Sequence, residues 1–191
     1  MNSTKIDFKK LSQSSLVFGF FLIPIHEFGH VVCDWMSGHP AAMSYARDYL
    51  LQEGSTPFLG LLGGPLLPIV VAFFALLQIY RRVHISVYYP IAILGSMDRL
   101  ILYIAGMLPS DERELAGLAG WNVYSFKYIF LSLDMVILVL IVISMYRGKI
   151  GIKRSCLIVV IPLISFIIGA LIGVLVIERF IFPQQFAKQF G

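Results

Sequence analysis

Five long apolar stretches constrain the fold of this chain more than any other feature of its sequence. They lie at about residues 14–34, 57–80, 87–108, 126–146 and 156–178. Each is close to the roughly 20 residues that a helix needs to cross a bilayer, and backbone groups in hydrocarbon must be hydrogen-bonded within the segment. The sequence therefore predicts an all-α, polytopic membrane helical bundle with five transmembrane helices, forming a single domain over residues 1–191.

The composition points to the same class. Hydrophobic residues make up 58% of the chain and charged residues 14%, whereas a soluble domain carries about 25% charged residues. The net charge of +4 comes from basic residues in short loops between apolar runs, a pattern typical of membrane topology. We therefore expect a lipid bilayer around the chain and no nucleic-acid partner. Cys33 and Cys156 are far apart in apolar surroundings, which predicts packing residues rather than a disulfide.

The placement of lysine and arginine predicts the orientation. If five spans alternate, one side carries most of the basic residues, namely Lys5, Lys9, Lys10, Arg81, Arg82, Arg147, Lys149, Lys153 and Arg154. By the positive-inside rule the N-terminus is cytoplasmic and the C-terminus lies outside. We expect an integral protein of a prokaryotic plasma membrane, whose first span is retained and not removed as a signal peptide.

The first apolar stretch contains the pattern HExxH at residues 26–30. On a helix, positions i and i+4 lie on one face, so His26 and His30 can bind one metal ion. Glu27 then lies beside the ion, where it can act as the general base of a metalloprotease. Ionisable groups inside an apolar span are costly and are usually functional. The sequence therefore predicts a Zn²⁺ site with Glu27 as the catalytic base.

A catalytic zinc usually has a third protein ligand. Asp98 and Asp134 both lie near the depth of His26, counting about 1.5 Å of helix per residue. Consecutive helical residues point about 100° apart, so Asp98 and the adjacent Arg99 cannot both face the metal. We expect Asp98 to bind zinc and Arg99 to pair with Asp134; the alternative, in which Asp134 is the third ligand, stays open.

Other candidate ligands are weaker. Asp111 fits an acidic capping pattern and is expected to cap a short interfacial helix over residues 111–119. His39 and Glu53 lie in the polar connection after the first span, which we expect to hold a short amphipathic or extended element over the site. His84 lies in a loop on the opposite side.

These residues resemble the site-2 protease type of intramembrane zinc metalloproteases, in its short, divergent members. Three segments carry the resemblance over the first three spans: residues 26–30, Gly63-Gly64-Pro65 and Asp98. Residues 110–116 are also similar to a Ser-Asp-x-x-x-Leu-Ala stretch of those members. The sequence differs from the family at Pro68, where the family has asparagine, and in the residues that flank Asp98. The predicted orientation is also opposite to the family's usual one.

The resemblance implies a three-helix catalytic core over residues 14–108, with His26, His30 and Asp98 as zinc ligands. It implies hydrolysis of peptide bonds in or near the transmembrane segments of membrane-protein substrates. Gly63, Gly64 and Pro65 would shape the substrate cleft, with Arg99 as a supporting residue. Small residues in an apolar helix also let two helices approach closely, so a packing role for these glycines stays open.

Two other functions are compatible with the motif. One is a non-catalytic membrane scaffold or chaperone that keeps the metal as a structural element, although such a site has no need for Glu27. The other is a divalent-metal transporter, although transport ligands are usually spread along a path. The sequence carries no indication of an oligomeric state.

Overall fold

The structure is a computed structural model that describes residues 6–51, 56–104 and 106–181. The chain is mostly helical, as predicted. Its helices are α1 (Phe8–Met36), α2 (Phe58–Tyr80), α3 (Ile85–Met97), α4 (Leu100–Ile104), α5 (Ser110–Ala119), α6 (Ser125–Arg147), α7 (Ile152–Ile172) and α8 (Arg179–Ile181), with a π-helical segment (Gly173–Glu178) between the last two. The strands β1 (Ala41–Met43) and β2 (Asp48–Leu50) form an antiparallel hairpin.

Four helices are long and apolar enough to cross a membrane: α1, α2, α6 and the continuous helix over residues 152–181. The prediction of a fifth span at residues 87–108 is wrong. The 13-residue helix α3 ends at Met97, and α4 begins after Asp98 and Arg99. Thirteen residues cover only about 20 Å of helix, less than the roughly 30 Å of a bilayer core. The two adjacent charged residues thus lie at a break in the apolar helix.

Helix α1 is central and packs against α2, α3 and α7, while α6 covers α2 and α3. Glycines allow the closest of these approaches. A side chain at Gly29 would overlap the carbonyl of Gly63 on α2, and one at Gly63 would overlap the backbone of Gly29. The two backbones are therefore in direct contact, as small residues permit between membrane helices. This contact lies one residue from His30 and fixes the position of α1 against α2.

The hairpin of residues 41–50 folds back along α1, which confirms an extended element in this connection. Its register pairs Met43 with Asp48, so residues 44–47 form the turn. The indole N–H of Trp35 donates to the carbonyl of Ala41 at 2.9 Å. The Tyr45 hydroxyl donates to the carbonyl of Phe20 at 2.6 Å. These contacts hold both ends of the hairpin against α1.

Candidate metal centre

The two histidines of the HExxH pattern point their Nε2 atoms at each other on α1. His26 and His30 are 8% and 3% exposed, and their Nε2 atoms lie 3.2 Å apart. Asp111 at the start of α5 closes a triangle with them. Its Oδ2 lies 3.4 Å from Nε2 of His26 and 3.5 Å from Nε2 of His30. The helix α5 thus brings a carboxylate to both imidazoles.

The size of this triangle suits a metal ion. Zinc binds nitrogen and oxygen ligands at about 2.0–2.1 Å in tetrahedral geometry, which places two ligands about 3.3–3.4 Å apart. The three separations of 3.2, 3.4 and 3.5 Å are close to one face of such a tetrahedron. His26, His30 and Asp111 therefore have both the donor types and the spacing to hold one ion.

The other ring nitrogen of each histidine has its own acceptor. Nδ1 of His26 lies 3.1 Å from Oδ2 of Asp98, and Nδ1 of His30 lies 2.8 Å from the carbonyl oxygen of Gly60. Metal-binding histidines usually donate their second ring N–H to a carboxylate or a backbone carbonyl, which fixes the ring and the tautomer. Both imidazoles are thus oriented with Nε2 toward Asp111.

The position of Asp98 differs from the one expected for the third ligand. Its carboxylate contacts Nδ1 of His26, on the side of the ring opposite to His30 and Asp111. Asp111, by contrast, was expected to cap a helix. That expectation is wrong, because α5 begins one residue earlier, after Pro109, and no side chain caps it. The similarity of residues 110–116 to a family stretch was the one sequence signal that pointed to Asp111.

Arg99 links the carboxylates around the triangle. Its Nη2 donates to Oδ2 of Asp111 and lies 2.7 Å from Nε2 of His26. Its Nε lies 3.3 Å from Oε1 of Glu112 and 3.8 Å from Oδ2 of Asp98. A metal ion bound to the triangle would compete with Nη2 of Arg99 for Nε2 of His26 and Oδ2 of Asp111. The guanidinium would then still be paired with Glu112 and Asp98 through Nε.

The expected ion pair between Arg99 and Asp134 is not formed. The ion pairs of Arg99 are with Asp98, Asp111 and Glu112. Asp134 is 1% exposed on α6, and neither of its carboxylate oxygens has a hydrogen-bond partner among the described residues. Its side chain belongs to none of the potential metal-binding groups in the described part of the chain. The break after α3 turns Arg99 toward α5 instead.

Asp111 lies in a cluster of buried ionisable groups. Three carboxyl groups, those of Asp98, Asp111 and Glu112, lie within ion-pair distance of one guanidinium, that of Arg99. Burial raises the pKa of Asp111, but its contacts with the two histidines and Arg99 lower it more strongly, so the net pKa is well below the usual range. An ionised Asp111 is the form that binds a metal.

Gly64 on α2 supports His30 by leaving room for it. A side chain at Gly64 would overlap the imidazole of His30. Gly63 and Pro65, which were expected at a substrate cleft, are buried in α2 and do not line the cavity beside the histidines. The packing role of Gly63 is its contact with Gly29.

A cavity of about 490 Å³ opens beside the histidines. Its lining from α1 includes Ile23, His26, Glu27 and His30, and the hairpin adds Ala46, Arg47 and Asp48. Asp98, Arg99, Leu102, Ser110 and Asp111 complete it. Glu27 therefore faces the same space as the histidines, and the hairpin forms the opposite wall.

A second group of potential ligands overlaps the first. One carboxylate oxygen each of Glu27 and Asp48 lies within 4.8 Å of the other and of a ring nitrogen of His30. The other candidates lie elsewhere: His39 is exposed after α1, His84 precedes α3 at the end opposite to Asp98, and Glu53 lies outside the described residues. The site thus consists of α1, α5 and the hairpin.

No protein-family model, curated protein or solved structure matches this chain. The interpretation of the site therefore depends on its own residues and geometry.

Proposed function

We propose that this chain is a zinc-dependent membrane protease that hydrolyses peptide bonds in or next to transmembrane segments of other membrane proteins. The main support is the triangle of Nε2 of His26, Nε2 of His30 and Oδ2 of Asp111, whose sides of 3.2–3.5 Å fit three ligands of one zinc ion. In this proposal Asp111 takes the place that the sequence had suggested for Asp98.

Zinc at this site would lower the pKa of a bound water to about 7 and so supply a nucleophile at neutral pH. The chain's own groups then have separate tasks. Glu27 lines the cavity beside His30 and is the general base, which takes a proton from the attacking water and delivers it to the leaving amine. Such proton transfer contributes about 10²–10⁴-fold to a rate.

Asp98, Gly60 and Arg99 position the ligands in this proposal. Asp98 and the Gly60 carbonyl accept from Nδ1 of His26 and His30, which holds Nε2 as the metal-binding atom. Arg99 also pairs with Glu112 and Asp98, and these contacts would hold the guanidinium beside Asp111 when a metal ion takes the place of Nη2.

The location of the cavity supports a substrate that is itself in the membrane. Glu27 and both histidines belong to α1, a helix long and apolar enough to span a bilayer, and the opposite wall is the hairpin. A helical substrate would have to unwind to expose its scissile carbonyl, because helical carbonyls are hydrogen-bonded. The polar groups of the cavity could pair with the backbone of such an unwound segment.

The proposal can be tested with purified protein in proteoliposomes that contain a model transmembrane peptide with a central Gly-Pro pair. We expect zinc-dependent cleavage, detected by mass spectrometry, that falls by about 10²–10⁴-fold in Glu27→Gln while the bound zinc is unchanged. Glu114→Gln, which removes an exposed carboxylate on α5, is the matched control. Equal cleavage by Glu27→Gln and the native chain would refute the protease, and zinc entry into the vesicles would favour a transporter.

A further inference from the structure

The hairpin brings a carboxylate to the metal centre that the HExxH pattern does not account for. Asp48 is the first residue of β2 and lines the cavity opposite α1. Its carboxylate lies within 4.8 Å of both Glu27 and a ring nitrogen of His30. Among the described residues it has no side-chain hydrogen bond or ion pair. Within the described part of the chain, this half-buried carboxylate therefore has potential metal ligands as neighbours but no structural partner.

His30 belongs to both groups of potential ligands, and its tautomer restricts how they can be used. Nδ1 of His30 is engaged by the Gly60 carbonyl at 2.8 Å, so Nε2 is the nitrogen left for a metal. One nitrogen lone pair binds one ion. The triangle with Asp111 and the group with Asp48 therefore share one metal-binding nitrogen, so they cannot hold two separate ions at the same time.

The hairpin is anchored in a way that holds Asp48 near this position. Tyr45 in its turn donates to Phe20 of α1 at 2.6 Å and to Gly169 of α7 at 3.2 Å, and its ring occupies the notch beside Gly173. Ser44 N–H donates to the carbonyl of Arg47 at 2.7 Å and closes the turn. Asp48 follows directly, so its backbone is fixed relative to α1.

We propose that Asp48 is a displaceable fourth ligand that the hairpin supplies to the metal held by His26, His30 and Asp111. This inference rests on the proposed function. A zinc ion with four protein ligands is a closed site, whereas a catalytic zinc keeps one position for water or substrate. With Asp48 bound the site is closed and at rest. An entering substrate segment displaces Asp48, opens the fourth position and leaves Glu27 as the base.

Cobalt substitution tests this directly, because the visible absorption of Co²⁺ reports its coordination. The variants are Asp48→Asn, the conservative Asp48→Glu, and Glu114→Gln as a control that removes an exposed carboxylate elsewhere. We expect Asp48→Asn to change the cobalt spectrum and to weaken zinc binding by about tenfold in a chelator competition. Asp48→Glu should restore most of the affinity.

Two results would overturn the inference. The first is a cobalt spectrum and a zinc affinity of Asp48→Asn that equal those of Glu114→Gln. The second is a loss of zinc affinity in Asp48→Asn with an unchanged cobalt spectrum, which would mean that Asp48 acts only through its charge. His30→Ala separates this from a failure of the proposed function. If His30→Ala still binds zinc, the metal centre itself is wrong. If His30→Ala loses zinc and Asp48→Asn behaves like the control, only the fourth ligand is wrong.

Discussion

The inner layer of the bundle, around α1, and the outer layer, formed by α6 and α7, differ in how much charge they bury. The inner layer, where α1 meets α5 and the break after α3, buries His26, Arg99 and Glu112 at 8%, 6% and 0% exposure. On the described parts of α6 and α7, Asp134 is the one buried charged residue, and the exposed residues are mostly aliphatic. Buried charged groups that have partners are therefore concentrated where several elements meet, which is the arrangement expected of a functional site in a membrane.

The largest effect should come from removing the cation of the inner layer. Arg99→Gln leaves the carboxylates of Asp98, Asp111 and Glu112 without their shared partner. Removing one partner of a buried ion pair costs about 3–5 kcal/mol. We expect this loss in the free energy of unfolding, measured in detergent with a metal chelator present. Arg113→Gln, an exposed site on α5, is the control; equal losses for both would show that the inner layer is not special.

A smaller effect is expected where the inner layer depends on shape. Gly64→Ala places a methyl group against the ring of His30, and overpacking of this kind costs about 1–3 kcal/mol. If the imidazole of His30 is displaced by the methyl group, we expect a zinc affinity that is about tenfold to hundredfold weaker, measured by chelator competition. Gly117→Ala on α5 has open space and should leave affinity unchanged. Unchanged affinity in Gly64→Ala would remove the proposed role of α2 as support for His30.

The smallest effect is expected on the exposed face of the outer layer. Val142 on α6 is 63% exposed, and the adjacent Ile141 is 2% exposed. We expect Val142→Ala to change the free energy of unfolding by less than about 0.5 kcal/mol, and Ile141→Ala by about 2–5 kcal/mol. A thermal unfolding series in one detergent compares the two directly. A large loss in Val142→Ala would mean that this face is covered by protein rather than by lipid.

The sequence predicted the parts of this structure that follow from a repeating local pattern. Apolar length located four of the spans, and the i, i+4 spacing of His26 and His30 put both imidazoles on one face. The prediction of spans from apolar length failed at residues 87–108, because hydropathy averaged over a window hides the effect of the adjacent Asp98 and Arg99. A pair of opposite charges inside an apolar run is itself a signal of a break.

The tertiary arrangement of the site was less accessible. The D-x-x-E spacing at Asp111 is a good local capping signal, and no local pattern shows that the break after Met97 lets α5 fold back onto α1. Depth along ideal helices placed Asp98 and Asp134 near His26, but it could not show which ring nitrogen a carboxylate would face. In the structure Asp98 faces Nδ1 of His26, and Nδ1 of His30 is engaged by the carbonyl of Gly60 on α2.

The most direct test is the zinc bound per protein molecule in Asp111→Ala and Asp98→Ala, measured after dialysis by mass spectrometry. We predict that Asp111→Ala loses most of its zinc during dialysis, because one corner of the ligand triangle is missing. Asp98→Ala should keep zinc with about 10- to 100-fold lower affinity, because it loses only the acceptor that orients His26. Full zinc occupancy in Asp111→Ala together with none in Asp98→Ala would contradict the proposed centre and restore Asp98 as the third ligand.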